Sequence, residues 1–240
     1  MTETPVVVVC SHRGASWKSA LTAGLSLELA ASGLTVAIVD PAKAGGLAAA
    51  DGHEWRATEG VAKCRSHGRH PLHLLHAPEL LTKEAPGREA TRLTASLVPH
   101  LVMLDLPMAS REELGAVLRH AHLVLVTMPI DVVSFRSIPP FLEQLREQRA
   151  MPGRSFNVRC VLTGLSSESP RLRELAKTIR DHLGPILTSS DFPPDADFGA
   201  DIRNGSFPTE PAAGSALATA FSALAEEVRG SLSERHLLVR

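Results

Sequence analysis

A lysine and a serine stand side by side at Lys18 and Ser19, shortly after the apolar run VVVVC at 6–10. A lysine and a hydroxyl residue that open a helix after a strand and a loop can hold phosphate. Backbone N–H groups and the helix N-terminus face the anion, the lysine adds a positive charge, and the hydroxyl binds Mg²⁺. The pair therefore predicts a phosphate site, although the polar first turn of an amphipathic helix would have the same residues.

The loop before this pair departs from the usual phosphate-binding pattern. In G-x-x-x-x-G-K-[ST] the two glycine positions fall on His12 and Trp17. Glycine beside the lysine lets the backbone approach the phosphates, and a larger residue in a left-handed conformation costs about 1 kcal/mol or more. Two interpretations of Trp17 stay open: its ring crowds the β- or γ-phosphate, or it stacks on a base or a partner.

Short β-branched runs alternate with helical patterns along the chain, which is typical of βαβ units and of a parallel sheet buried on both faces. Strands are predicted at 6–10, 35–39, 101–104, 123–127 and 158–162. Helices are predicted at 18–32, 110–119, 139–149, 170–183 and 213–232. Because no linker or repeat divides the sequence, we expect a single α/β domain over residues 1–240.

The composition argues against several classes of protein. A net charge of −1, from 25 basic and 26 acidic residues, gives no general attraction to nucleic acid or to acidic lipid. No stretch approaches the roughly 20 apolar residues of a membrane span, and we expect a cytoplasmic protein without a transmembrane segment. The three cysteines suit reduced thiols, and Cys10 and Cys160 are expected in the core.

Two clusters of residues each allow a functional and a structural interpretation. Four histidines recur every third residue after Cys64, a spacing that would suit zinc. They are His67, His70, His73 and His76. The segment HPLHLLHAPEL is more typical of a strand that packs Leu72 and Leu74 on one side and turns its histidines outward.

A second cluster is basic and could hold DNA nonspecifically, although an ordinary solvated helix face would look the same. Its members are Arg171, Arg173, Lys177, Arg180 and Arg203. The acidic residues between them, Glu174 and Asp181, leave DNA binding weakly supported.

The residues around the lysine and serine resemble the deviant phosphate loop of the ParA/MinD family of P-loop ATPases, K-G-G-x-G-K-[ST]-[ST]. Aligned without gaps, the octet is Arg13, Gly14, Ala15, Ser16, Trp17, Lys18, Ser19 and Ala20. Arg13 takes the place of the family's first lysine, and Ala15 and Trp17 replace its second and third glycines. The octet is therefore a degenerate version of the family loop.

The resemblance continues at other strand ends. VAIVDPAKAGGL is similar to the family's Asp-x-Asp-Pro segment, with Asp40 at its first aspartate and Ala42 replacing the second. LVMLDLPMAS is similar to the family strand that ends in Asp-x-Pro, which places Asp105 at the Walker B position. AHLVLVTMPIDVVSFRSI and the stretch from FGADIRNG to ALAEEV also resemble family segments, so the likeness covers nearly the whole chain.

The resemblance implies a P-loop NTPase fold, a mostly parallel twisted sheet with helices on both faces. It implies that the octet binds ATP with Mg²⁺, that Ser19 and Asp105 are the metal residues, and that Lys18 neutralises phosphate charge. Asp40 would orient the attacking water, although Asp-Pro is also a common turn opener.

The resemblance also implies a homodimer formed with ATP, in which Arg13 reaches the partner's nucleotide unless it is simply a surface arginine. Hydrolysis would be weak or stimulated by a protein partner, and the cargo would be a plasmid, a chromosome or a cell-envelope machine. The competing hypothesis is a scaffold or adaptor that recruits partners without nucleotide turnover. The substitutions that motivate it are His12, Ala15, Trp17 and Ala42.

Overall fold

The structure is a computed structural model. It describes residues 3–12, 17–43, 46–47, 63–67, 70–165, 169–193, 211–235 and 237–238. Several residues singled out from the sequence lie outside these ranges: Arg13, Gly14, Ala15, Ser16 and Arg203.

The described strands form one eight-stranded sheet in the order β3-β4-β2-β5-β1-β6-β7-β8. The strands are β1 (Val6–Cys10), β2 (Val36–Asp40), β3 (Lys63–His67), β4 (His70–His76), β5 (Leu101–Asp105), β6 (Leu123–Pro129), β7 (Asn157–Thr163) and β8 (Leu187–Phe192). Only β3 pairs antiparallel, with β4, and every other pairing is parallel. The predicted mostly parallel α/β sheet is confirmed.

Six α-helices of the described chain cover the two faces of this sheet. They are α1 (Lys18–Ala31), α2 (Pro86–Thr94), α3 (Arg111–Leu118), α4 (Val132–Ala150), α5 (Pro170–Leu183) and α6 (Ala216–Ser233). Alternate residues of each strand point to opposite faces. Val7 and Val9 of β1 therefore pack in one apolar cluster with α1 and α6, while Val6 and Val8 pack in another with α2 to α5.

The carboxyl ends of the central strands lie at one edge of the sheet. In the parallel register Val9 of β1 is opposite Asp105, and Val39 of β2 is opposite Leu104. Asp40 and Asp105, the last residues of β2 and β5, are consequently at the same level as the end of β1. Because β5 lies between β2 and β1 in the sheet, the loop that leads from β1 to α1 starts next to Asp105, and Asp40 lies one strand further away.

The predicted start of α4 was wrong by seven residues, since the helix begins at Val132 rather than at 139. The Asp131 side chain accepts a hydrogen bond from the Ser134 N–H at 2.7 Å and so caps the helix start. Pro139 and Pro140 lie inside the helix on its exposed side. Because proline favours a first turn, the prediction placed the helix start at these residues instead.

The histidine-rich segment forms strand β4, but the expectation that its histidines face outward was wrong for His73, which is buried. Leu72 and Leu74 pack in the cluster with α1, as predicted, and Leu75 packs on the opposite face. Both faces of β4 are therefore covered, and alternation along the strand sends His73 to the face opposite Leu72 and Leu74. Burial lowers the pKa of His73 and keeps the ring neutral.

Cys10 and Cys160 are both buried in the cluster that underlies α2 to α5, as expected. Burial raises the pKa of Cys10 to about 12, and the Cys160 thiol adds to this shift while Lys18 opposes it. Burial also raises the pKa of Cys160 to about 12. Thiolates carry the reactivity of cysteine, so both side chains behave as inert apolar groups.

Candidate phosphate and magnesium site

Helix α1 starts at a residue whose side chain cannot cap it. Trp17 is the N-cap residue, with a left-handed backbone (φ 65°, ψ 14°), and its carbonyl accepts the first helical bond from the Leu21 N–H at 2.9 Å. Four other helices start with a side chain that accepts a backbone N–H, and these caps are Ser110, Asp131, Ser169 and Ser215. Among the described residues, α1 thus starts without a side-chain cap, and the N–H groups of a helix's first turn have no partner within the helix itself.

A buried carboxylate faces this helix start from strand β5. The Ser19 hydroxyl donates to Oδ2 of Asp105 at 2.6 Å, and the Thr22 hydroxyl donates to Oδ1 at 3.2 Å. Ser19 and Thr22 are three residues apart and therefore lie on one side of α1. Asp105 is only 3% exposed. The structure thus brings two of the predicted residues into direct contact and adds Thr22, which the sequence analysis missed although its spacing from Ser19 was visible.

Asp40 is fully buried beside this group, and the turn after β2 fixes its carboxylate. The Ala42 N–H donates to Oδ1 of Asp40 at 2.9 Å, and a ring nitrogen of His76 is 2.8 Å from the Ala42 carbonyl oxygen. A Cβ added to Gly46, whose φ is +71°, would lie 2.6 Å from Oδ2 of Asp40. The carboxylate therefore does cap a turn, and a glycine makes room for it at the edge of the sheet.

The carboxylates of Asp40 and Asp105 lie close enough for their negative charges to repel each other. The pKa of Asp105 is raised to about 7, first by burial and then by the negative charge of Asp40. Hydrogen bonds from Ser19 and Thr22 and the charge of Lys18 oppose this rise without cancelling it. A cation placed between the two carboxylates would remove their repulsion and return Asp105 to its ionised form.

The donors at this place suit a hard divalent cation that keeps part of its water shell. The ligands available here are all oxygen atoms, from the Ser19 hydroxyl and from the two carboxylates of Asp40 and Asp105. Mg²⁺ is held in this way in phosphate sites, by one or two carboxylates, waters and phosphate oxygens. Among the residues that the structure describes, no group of three or more histidine, cysteine, aspartate or glutamate side chains could hold a metal. The chain therefore offers a partial shell that phosphate oxygens and water would complete.

The indole of Trp17 packs on the protein's own aromatic rings. Its centroid lies 6.4 Å from that of Phe221, with the two planes within 11° of parallel, and 5.9 Å from that of Phe192 in an edge-to-face arrangement. Phe192 and Phe221 are buried in the cluster with α1 and α6. The sequence did not predict this packing on Phe192 and Phe221, and both interpretations of Trp17, a ring against the phosphates or a ring on a base or partner, stay untested predictions.

The basic cluster on α5 is separate from the site. Arg180 forms an ion pair with Asp191, while Arg171, Arg173 and Lys177 are exposed. Helix α5 covers the sheet face opposite α1. Among the described residues these cations form a solvated helix face, and a role in DNA binding stays an untested prediction.

Solved structures of the same architecture are known. The chain matches cobyrinic acid a,c-diamide synthase from Mycobacterium smegmatis with a bound ATP analog and magnesium at a TM-score of 0.73 and 18% identity, covering 95% of this chain and 94% of that one. It matches the cell division protein MinD of Aquifex aeolicus at 0.71 and 19%, covering 94% and 97%. A ParA family ATPase from Chlorobium tepidum TLS matches at 0.70 and 16%, covering 93% and 99%.

No protein-family model matches the sequence, and no curated protein matches it either. Among the described residues, none of the helices is long and apolar enough to cross a bilayer. At identities below one fifth, TM-scores of about 0.7 over nearly the whole of both chains show that the fold is shared. The chain therefore has the P-loop NTPase fold of the MinD and ParA ATPases.

Proposed function

We propose that this chain is a ParA/MinD-like protein that binds ATP with Mg²⁺ at the start of α1. The observation that carries the proposal is the contact between Ser19 and the buried Asp105, at 2.6 Å, beside an uncapped helix N-terminus. A hydroxyl, a carboxylate and a helix start without a side-chain cap meet at the carboxyl end of the central strands. This combination binds a phosphate and its counter-cation.

Each residue of the site has a defined task in this proposal. The first-turn N–H groups of α1 and the ammonium of Lys18 would face the phosphate oxygens. Ser19 would ligate Mg²⁺ directly and Asp105 would hold it through water, while the ion would neutralise the charge of the phosphates. Asp40, whose carboxylate accepts a hydrogen bond from the Ala42 N–H, would orient a water molecule at the same edge.

Proteins with this fold support the choice of nucleotide. The cobyrinic acid a,c-diamide synthase of Mycobacterium smegmatis has been solved with ADP and magnesium as well as with an ATP analog. The MinD protein of Pyrococcus horikoshii OT3 has been solved with Mg-ADP. The same fold, with a hydroxyl and two carboxylates together at one edge of the sheet, favours ATP and Mg²⁺ here.

The biological role that we propose is the positioning or partitioning of a cargo, with hydrolysis that is weak or stimulated by a partner. A cytoplasmic single-domain protein would form a homodimer when ATP binds, and Arg13 of the octet would reach the partner's nucleotide. A solved complex of MinC with MinD from Aquifex aeolicus supports a protein partner for a chain of this fold. The cargo would be DNA or a cell-envelope machine.

Titration of fluorescently labelled ATP with Mg²⁺ tests the proposal. The Lys18→Ala variant should lose at least about tenfold in affinity, because it removes the charge nearest the phosphates. Lys83→Ala removes the same charge from an exposed position outside the site and should bind like the wild type.

Equal and weak binding by wild type and Lys18→Ala would contradict the proposal. The scaffold hypothesis would then apply, and partner recruitment should survive Lys18→Ala and Asp40→Ala unchanged. ATP hydrolysis that is measurable in the wild type and lost in both variants would exclude that hypothesis.

A further inference from the structure

Trp17 stands in a backbone conformation that usually requires glycine. Among the described non-glycine residues only Trp17 and Val98 have a positive φ. A tryptophan keeps such a conformation only when its surroundings determine it. The question is what holds Trp17 in place, since the residue directly precedes Lys18 and Ser19.

The surroundings that determine it are an aromatic cluster, Trp17 with Phe192 and Phe221. Trp17 stacks on Phe221, meets Phe192 edge to face, and the two phenylalanines are 5.0 Å apart in a third edge-to-face pair. Phe192 is the last residue of β8, and Phe221 lies in the second turn of α6. The cluster therefore ties the start of α1 to two elements that are distant in sequence.

Helix α1 is shaped to accept this cluster. A Cβ added to Gly24 would lie only 2.1 Å from Cζ of Phe221, so the ring packs directly against the helix backbone. Gly24 follows Thr22 by two residues, and two residues at 3.6 per turn are roughly half a turn. The aromatic cluster thus lies on the side of α1 opposite the hydroxyls that contact Asp105.

We propose that Trp17 is a positioning residue, whose indole, anchored on Phe192 and Phe221, holds the turn that presents Lys18 and Ser19 to the phosphates. This inference rests on the proposed function. Relaxing the backbone of Trp17 would rotate the residues that follow it directly. The anchored ring fixes their direction before the nucleotide arrives, so that less ordering is needed when it binds.

An anchoring ring and a blocking ring predict opposite effects of Trp17→Gly on ATP affinity. If the ring blocked the site, Trp17→Gly would remove the obstruction and raise ATP affinity. With an anchoring ring, Trp17→Gly should instead lower Mg-ATP affinity by about tenfold, because the turn becomes free to rotate. Trp17→Phe keeps an aromatic ring in the cluster and should recover most of the loss.

The experiment is a titration of labelled ATP with Mg²⁺ against the wild type, Lys18→Ala and the variants of the cluster. Phe221→Leu removes the ring under the indole without changing the loop and should also weaken binding. Phe156→Leu makes the same change at a buried ring in the other apolar cluster and should leave affinity unchanged. Tighter binding by Trp17→Gly, or equal affinities for Phe221→Leu and Phe156→Leu, would overturn the inference while leaving nucleotide binding itself in place.

A second readout does not depend on affinity. The chain has two tryptophans, so a Trp55→Phe background leaves Trp17 as the sole indole reporter. Its fluorescence should be protected from acrylamide with and without Mg-ATP, and Phe221→Leu should remove the protection. An indole that is quenched freely, or becomes protected only when ATP binds, overturns the inference. If the wild type binds no ATP, or binds it only as weakly as Lys18→Ala does, the proposed function fails, and a positioning role fails with it.

Discussion

The two sides of the first turns of α1 are built on different principles. One side is polar, where Ser19 and Thr22 donate to a carboxylate from β5. The other side is apolar, where Trp17 and Gly24 meet rings from β8 and α6. The polar side buries an acid whose ionised form is unfavourable there, while the apolar side consists of satisfied ring contacts. The comparison indicates that the apolar side holds the helix, and the polar side is where we propose that a charged ligand binds.

Removing the central ring of the apolar side is the strongest way to test this division. Phe221→Ala should lower the free energy of unfolding by about 3–5 kcal/mol, the usual cost of deleting a buried phenylalanine ring. Thermal unfolding followed by circular dichroism would measure it. If α1 were held mainly by its polar side, the loss would be no larger than that of Thr219→Ala, at an exposed position of α6 whose hydroxyl bonds only within its own helix.

The polar side should appear in the pH dependence of stability. The pKa of Asp105 is about 7 in the folded chain against 3.8 for an unperturbed aspartate, so the folded state keeps this proton where the unfolded state has lost it. The stability contributed by the protonated group is complete below about pH 4 and is lost as the pH rises towards 7. The effect amounts to a few kcal/mol at most, on the order of 1.4 per pKa unit.

Asp105→Asn removes this titration at nearly constant size. Guanidinium unfolding of both proteins at about pH 5 and about pH 8 isolates the contribution of Asp105, because the remaining groups cancel in the difference. The wild type should lose more stability than Asp105→Asn over this interval. Equal losses of stability for the two proteins between these pH values would show that the pKa of Asp105 is not raised in the folded chain.

A methyl group at Gly24 should disturb the packing of α1 against Phe221. Gly24→Ala places a carbon where the Phe221 ring lies and should cost about 1–3 kcal/mol, since the ring must move. Gly230→Ala is the matched control, because its added carbon meets nothing within 4 Å. That variant should gain about 0.5–1 kcal/mol from helix propensity. A urea midpoint that falls for Gly24→Ala and rises for Gly230→Ala would support this packing. A midpoint that rises for both variants would refute it.

The smallest effect is expected at Thr22. Thr22→Val removes one donor to Asp105 and should cost about 1 kcal/mol. It should also shift the pH dependence of unfolding to higher pH, because this hydrogen bond lowers the pKa of Asp105. Thr219→Val, at an exposed hydroxyl that bonds only to a helix carbonyl, is the control and should leave the profile in place.

The main residues of the polar side could be predicted from the sequence, and the contacts of the apolar side could not. Ser19, Asp40 and Asp105 stand at the starts and ends of strongly apolar or helical segments, where residue type and position already indicate a site. Trp17 finds its partners at Phe192 and Phe221, and no local pattern links them. Local patterns also gave the wrong start for α4, because the two prolines indicated a later start and the Asp131 cap was not recognised. They gave no strand at β8, because its sequence LTSSDF is too polar to predict one.

If Mg²⁺ binds beside Asp105 as we propose, the raised pKa of this carboxyl group makes cation binding an exchange of Mg²⁺ for a proton. Near neutral pH a substantial share of the molecules carry a proton on Asp105, and a magnesium ion favours the form without it. Each ion loaded with nucleotide would then expel a fraction of a proton into the buffer. The heat of binding would accordingly vary with the ionisation enthalpy of that buffer, most strongly below neutrality.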